Sequence, residues 1–145
     1  MIYPSDTIEK LYKIHVQYPT DICTMSTKYI GNNHNTVPLN WVNTTVSKKY
    51  IHSDKIQIFT DSESLYPPNC LFKDVFNKDL MKKLCPYVDD LWLTYMAMKK
   101  GTRITSAYPW RTFSIGIYGT SVGSLWYLNA QDGKLYSMEK LTCLL

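Results

Sequence analysis

Pro86-Tyr87-Val88-Asp89-Asp90-Leu91-Trp92-Leu93-Thr94-Tyr95-Met96-Ala97-Met98-Lys99-Lys100-Gly101 is the stretch on which the fold turns. A proline precedes it, two acids open it, two lysines close it and a glycine follows, which are the boundary signals of one helix running from Asp89 or Asp90 to Lys100. Just past Gly101, Arg103-Ile104-Thr105 is β-branched enough to predict a strand. Upstream, Asn77 is a plausible cap for a helix through Leu80, Met81 and Leu84, ended by Pro86.

Working further out, Asp6 and Glu9 form a capping-box-like pair ahead of Ile8, Leu11, Tyr12 and His15, which predicts a helix over 6–17 that Pro19 stops. The segment Asp21 to Ile30 alternates loosely among β-branched and aromatic residues and predicts a strand. From Gly31 to Ser53 asparagines and breakers leave no sustained period, so a long excursion is expected, with at most a short strand over Trp41 to Val46. Ile56 to Phe59 predicts a brief strand that runs into the stiff corner Leu65-Tyr66-Pro67-Pro68. A turn at Tyr108-Pro109-Trp110, a short helix over 121–129 and an amphipathic helix over 136–144 complete the chain. The expected fold class is α/β, a mixed and partial sheet with strands near 1–3, 21–30, 56–60 and 103–106, flanked by helices near 6–17, 78–84, 89–100 and 136–144. Residues 1–145 form one domain in this reading, and an open sheet edge would favour a homodimer or strand pairing with a partner.

Composition sets the outer limits. With 45% hydrophobic and 19% charged residues among 145, the chain can bury a core. Its net charge of +4 suits contact with phosphates but falls far short of a dedicated nucleic-acid binder, and none is expected as a partner. No apolar run approaches the roughly 20 residues that span a bilayer, and Met1-Ile2-Tyr3-Pro4-Ser5-Asp6 lacks the features of a signal peptide, so a soluble, cytoplasmic protein is expected. Cys23, Cys70, Cys85 and Cys143 include no C-x-x-C pair, which points to buried thiols rather than a metal site. Tyrosine supplies 12 of the aromatic residues, an excess that suits sugar-stacking surfaces as well as core packing.

Chemistry concentrates in two places. At the start of the main helix the terminus favours an ionised carboxylate, so Asp89 and Asp90 offer a general base, although an N-cap at Asp89 with a first-turn acid at Asp90 accounts for the same motif. Tyr66 stands ahead of two prolines, which would hold a ligand-facing ring rigidly or make a plain turn. His15, His34 and His52 assemble into no catalytic pattern, and the chain has no phosphate-binding glycine motif and no H-E-x-x-H. Contiguous aspartates on a helix lie about 100° apart and make no Asp-x-Asp chelate, so no metal ligand is assigned.

Leu65-Tyr66-Pro67-Pro68, Asp74-Val75-Phe76-Asn77, Leu84-Cys85-Pro86, Asp89-Asp90-Leu91-Trp92-Leu93 and Gly123-Ser124-Leu125-Trp126-Tyr127-Leu128-Asn129 together resemble the C-terminal half of bacterial GT-A-like glycosyltransferases of polysaccharide and surface-glycan biosynthesis. Ile2-Tyr3-Pro4 is similar to the strand end that follows the acidic metal-binding element in those enzymes. The resemblance implies a truncated relative that begins after this element, without the upstream donor half. It implies inverting transfer from a nucleotide sugar to a glycan acceptor, with divalent metal (Mn or Mg) required by the complete enzyme but no cofactor held by this chain. Asp90, or Asp89, would be the base, and Tyr66, Trp92 and Glu63 would bind the acceptor. Where such enzymes carry small glycine-rich residues before Leu-Tyr-Pro-Pro, this chain has Ser62-Glu63-Ser64. Little or no transferase activity is expected of the chain alone, which leaves an alternative: a non-catalytic glycan-binding or interaction module. A hydrolase would need a second acid about 5–10 Å from the first, and the sequence offers no clear one.

Overall fold

The computed structural model describes residues 2–25, 27–30, 36–38, 50–53, 56–58, 63–86, 88–107, 117 and 119. The expected turn over 108–110 and the expected helices over 121–129 and 136–144 lie outside the described residues, as does Cys143.

Helix α1 spans Thr7–Gln17 and turns Thr7, Leu11 and Ile14 inward, the spacing of one helical face. The expected capping box does not form. Asp6 stands at the cap position without a side-chain cap bond, and its carboxylate meets Lys10 at 2.9 Å, while Glu9 pairs with Lys13. Both acids thus reach one turn forward to a lysine rather than back to the helix amides. Of the strand expected over 1–3, the described residues Ile2 and Tyr3 show only a lone bridge at Ile2, and both are exposed.

The single strand expected over 21–30 is two strands, β1 (Ile22–Thr24) and β2 (Thr27–Ile30), belonging to different sheets. The break falls at Met25, whose N–H donates to the Glu63 carbonyl at 3.2 Å. The excursion contains β3 (Thr36–Pro38) and β4 (Tyr50–Ser53), while Trp41 to Val46 lies outside the described residues. After β5 (Ile56–Ile58) and β6 (Ser64–Leu65), a 3-10 turn over Lys73–Phe76 leads to α2 (Lys78–Leu84). Asn77 caps α2 as its sequence suggests, its Oδ1 accepting the Leu80 N–H at 3.0 Å. Helix α3 (Asp89–Lys100) ends at Gly101, whose φ of 79° permits the reversal. Gly101 N–H then donates to Met98 and Thr102 N–H to Ala97, both at 2.9 Å. Strand β7 (Ile104–Ala107) follows directly.

The fold is α/β. Among the described strands a mixed four-stranded sheet has the order β4-β7-β1-β6, with β1 parallel to β7 and both outer pairings antiparallel. An antiparallel three-stranded sheet has the order β3-β2-β5. Parallel β1 and β7 need a crossover, and α3 supplies its last limb. Seven of the twelve residues of α3 are buried, from Asp90 to Ala97, so it packs on several sides at once and shows little amphipathic bias. Toward α2 it contributes Leu91, Trp92, Tyr95 and Met96 to a core with Leu84, Cys85 and Val88, and toward the sheet Ala97 meets Ile22, Cys70 and Ile104. Leu11 and Ile14 of α1 close over Cys23 and Met25. Cys23, Cys70 and Cys85 are buried free thiols.

Candidate functional site at the start of the third helix

The first turn of α3 positions the two acids differently. Val88, not Asp89, occupies the cap position, and it offers no side-chain acceptor. Each acid instead receives the amide that follows it: Asp90 N–H donates to Asp89 Oδ1 at 2.9 Å and Leu91 N–H to Asp90 Oδ1 at 2.8 Å. These bonds satisfy helix donors that have no partner within the helix. Asp89 is exposed, whereas Asp90 is only 8% exposed and its carbonyl accepts the Thr94 hydroxyl at 2.7 Å.

Tyr66 comes to this helix end from the other side. It leaves β6, its half-buried ring packs on the cluster of Ile22, Cys70, Ala97 and Ile104, and the prolines that follow hold it there. Burial is the main reason its phenol ionises well above the ordinary tyrosine range, and the neighbouring Cys70, Asp89 and Asp90 push in the same direction. The Ser64 hydroxyl, two residues back, opposes them weakly. The phenol is therefore neutral at ordinary pH, and its hydroxyl is buried.

Glu63 is placed by the sheet rather than by α3. Its φ of 47° lies in the left-handed region, uncommon for glutamate, and its carbonyl accepts the Met25 N–H. This bend sets the direction in which β6 delivers Tyr66. Trp92 stands behind the site, 1% exposed, with Nε1 donating to the Val75 carbonyl at 3.1 Å. It steadies the helix that carries the acids and presents no open ring face.

A further polar group was not singled out in the sequence. Asp21, 3% exposed at the head of β1, accepts the Thr105 hydroxyl of β7 at 2.7 Å. The Thr20 hydroxyl approaches the other carboxylate oxygen at 3.4 Å, and the Cys23 thiol lies 3.6 Å from the Asp21 carbonyl. Burial, with the charge of Asp21 adding to it, pushes the Cys23 thiol up to about 12. A lone acid before an apolar strand was its sequence signal, and the structure makes it a tie between the parallel strands.

Among the described residues no group of three or more His, Cys, Asp or Glu is arranged to hold a metal ion. Asp89 is exposed and Asp90 buried, each with an oxygen taken by a backbone amide, and no third ligand among the described residues joins them for the divalent metal of the resembled enzymes. What the site can offer a ligand hydroxyl is the exposed carboxylate of Asp89, which can accept its hydrogen bond or its proton, while the Tyr66 hydroxyl is buried. Among the described residues no helix is long and apolar enough to cross a membrane. Compared with family models, curated proteins and solved structures, the chain matches none of them.

Proposed function

We propose that this chain binds a glycan hydroxyl at the start of α3, as the acceptor side of a bacterial glycosyltransferase-like unit whose nucleotide-sugar donor is held elsewhere. The observation that carries this reading is the exposed carboxylate of Asp89 at the start of α3, next to the buried Asp90 and in the segment that resembles the acceptor side of those enzymes. In the transfer, the acceptor oxygen bonds to the anomeric carbon and the bond from that carbon to the donor's phosphate oxygen breaks. The leaving oxygen keeps the electron pair, and the acceptor proton passes to a carboxylate. Asp89 suits that role better than Asp90, because its side chain is exposed while Asp90 is packed into the helix end. No step is drawn through a metal, since the described carboxylates do not fit one.

A second reading, a glycan-binding module without catalysis, is favoured by one detail: each carboxylate commits an oxygen to a backbone amide. Titration calorimetry with a panel of nucleotide sugars, with and without manganese, and with oligosaccharides tests both readings. Oligosaccharide binding that survives without manganese supports the acceptor site. Transfer lost in Asp89→Asn at retained binding selects the catalytic reading, and full activity of that variant rejects Asp89 as the base. Binding of no saccharide at all rejects the site.

A further inference from the structure

We propose that the turn and helix over residues 73–83 form a docking surface for an anionic phospholipid bilayer, with Phe76 as its apolar tip. Phe76 is 87% exposed, although it belongs to a turn that is firmly held. Its neighbours Phe72 and Val75 pack against the core of α2 and α3, Phe72 N–H donates to the Met96 carbonyl at 3.1 Å, and Val75 takes the Trp92 indole. Asn77 N–H donates to the Asp74 carbonyl at 2.8 Å and its side chain begins α2. The ring is thus presented outward by rigid backbone on both sides.

Lysines flank it in sequence. Lys73 and Lys78 flank the turn, and Lys82 and Lys83 follow on α2, all exposed. Residues 73–83 hold four lysines against two acids. Asp74 is engaged by Lys99 at 3.0 Å, which also lies 4.5 Å from the centre of the Phe72 ring, and Asp79 is the other acid of this segment. An exposed aromatic tip within a lysine-rich segment matches the two gains available at a negatively charged membrane surface: headgroup attraction and burial of the tip among acyl chains. A nucleic-acid backbone would reward the lysines but not the apolar tip, and the net charge of +4 is low for such a partner.

Co-sedimentation of the full chain with vesicles tests this, comparing pure phosphatidylcholine with mixtures containing phosphatidylglycerol. Binding is expected only to the anionic vesicles and is released by high salt. Phe76→Ser should lower partitioning about tenfold, and Lys78→Gln with Lys82→Gln at least as much, at about fivefold for each lysine. Neither change touches the core, and an unchanged thermal transition verifies that both variants fold. Equal binding to neutral vesicles, binding that Phe76→Ser leaves intact, or retention on heparin without vesicle binding would each overturn the proposal.

Discussion

The helical layer and the sheet seam of this molecule are built by opposite means. In the helical layer α2, α3 and the 3-10 turn are neighbours in sequence, and apolar contacts centred on Trp92 and Met96 hold them. In the seam, β1 meets β7 and β6 from distant parts of the chain, and polar groups hold much of it: Asp21 with Thr105, Met25 with the Glu63 carbonyl, buried Thr24 and Ser106. Local apolar packing tolerates small adjustments, whereas a buried polar tie is expensive to leave half made. The candidate site lies where the two meet, with its acids on the helical layer and Tyr66 on the seam. Its geometry therefore depends on both.

The largest break in this comparison is Trp92→Ala. It removes a fully buried ring and the indole bond to Val75, for an expected loss of about 3–5 kcal/mol in denaturant unfolding. Hydrogen exchange should show the loss concentrated in α2, α3 and the turn, with β1 and β7 protected longer. Equal loss of protection in both layers would mean that they unfold as one unit and that the division drawn above has no energetic basis.

Thr105→Val attacks the seam alone. The substitution keeps the shape and removes the hydroxyl that donates to buried Asp21, leaving that carboxylate short of a partner at a cost of about 1–3 kcal/mol. Asp21→Asn with Thr105→Val should cost less than the sum of the two single changes, as coupled groups do. Additive losses in a double-mutant cycle would show that the tie carries no interaction energy.

These two layers also differ in how far the sequence reveals them. Both ends of α3 and the Asn77 cap of α2 are legible because their signals lie within a few residues of where they act. Met25 carries no local sign of a strand break, since β1 follows β6 up to the Met25–Glu63 bond while β2 pairs with β3 and β5, partners far along the chain. Strands β3 and β4 are hidden in the same way: asparagines and breakers around them suggest loop, and pairing with β2 and β7 overrides that preference. Within the site, the presence of Asp89 and Asp90 at a helix start is readable, but their assignment is not. A helix buried on most sides gives no periodic clue to which acid faces water, and only its packing sets Asp89 outward. The approach of Tyr66 is likewise a product of the seam, because β6 reaches α3 through its pairing with β1.

The smallest expected effect sharpens the contrast with pH. Cys23, Cys70 and Tyr66 all lie in the seam or where it touches α3, and burial raises the ionisation of each above its ordinary range. An acid whose pKa is higher in the folded state keeps its proton longest there. At pH values below the unfolded thiol range, near 9, both states are protonated and the full stability is present. As pH rises through that range the unfolded chain releases protons first, so stability falls with pH until the folded groups also ionise. From pH 8 to pH 9 the loss should be less than about 1 kcal/mol, steepening above it toward about 1.4 kcal/mol per pH unit for each group. Cys23→Ala should flatten this alkaline limb by the share of one thiol while leaving the helical layer's exchange protection unchanged. A flat profile from pH 8 to pH 10 would mean that these groups meet water as readily folded as unfolded. The seam would then be open, and the phenol beside Asp89 would be free to ionise with it.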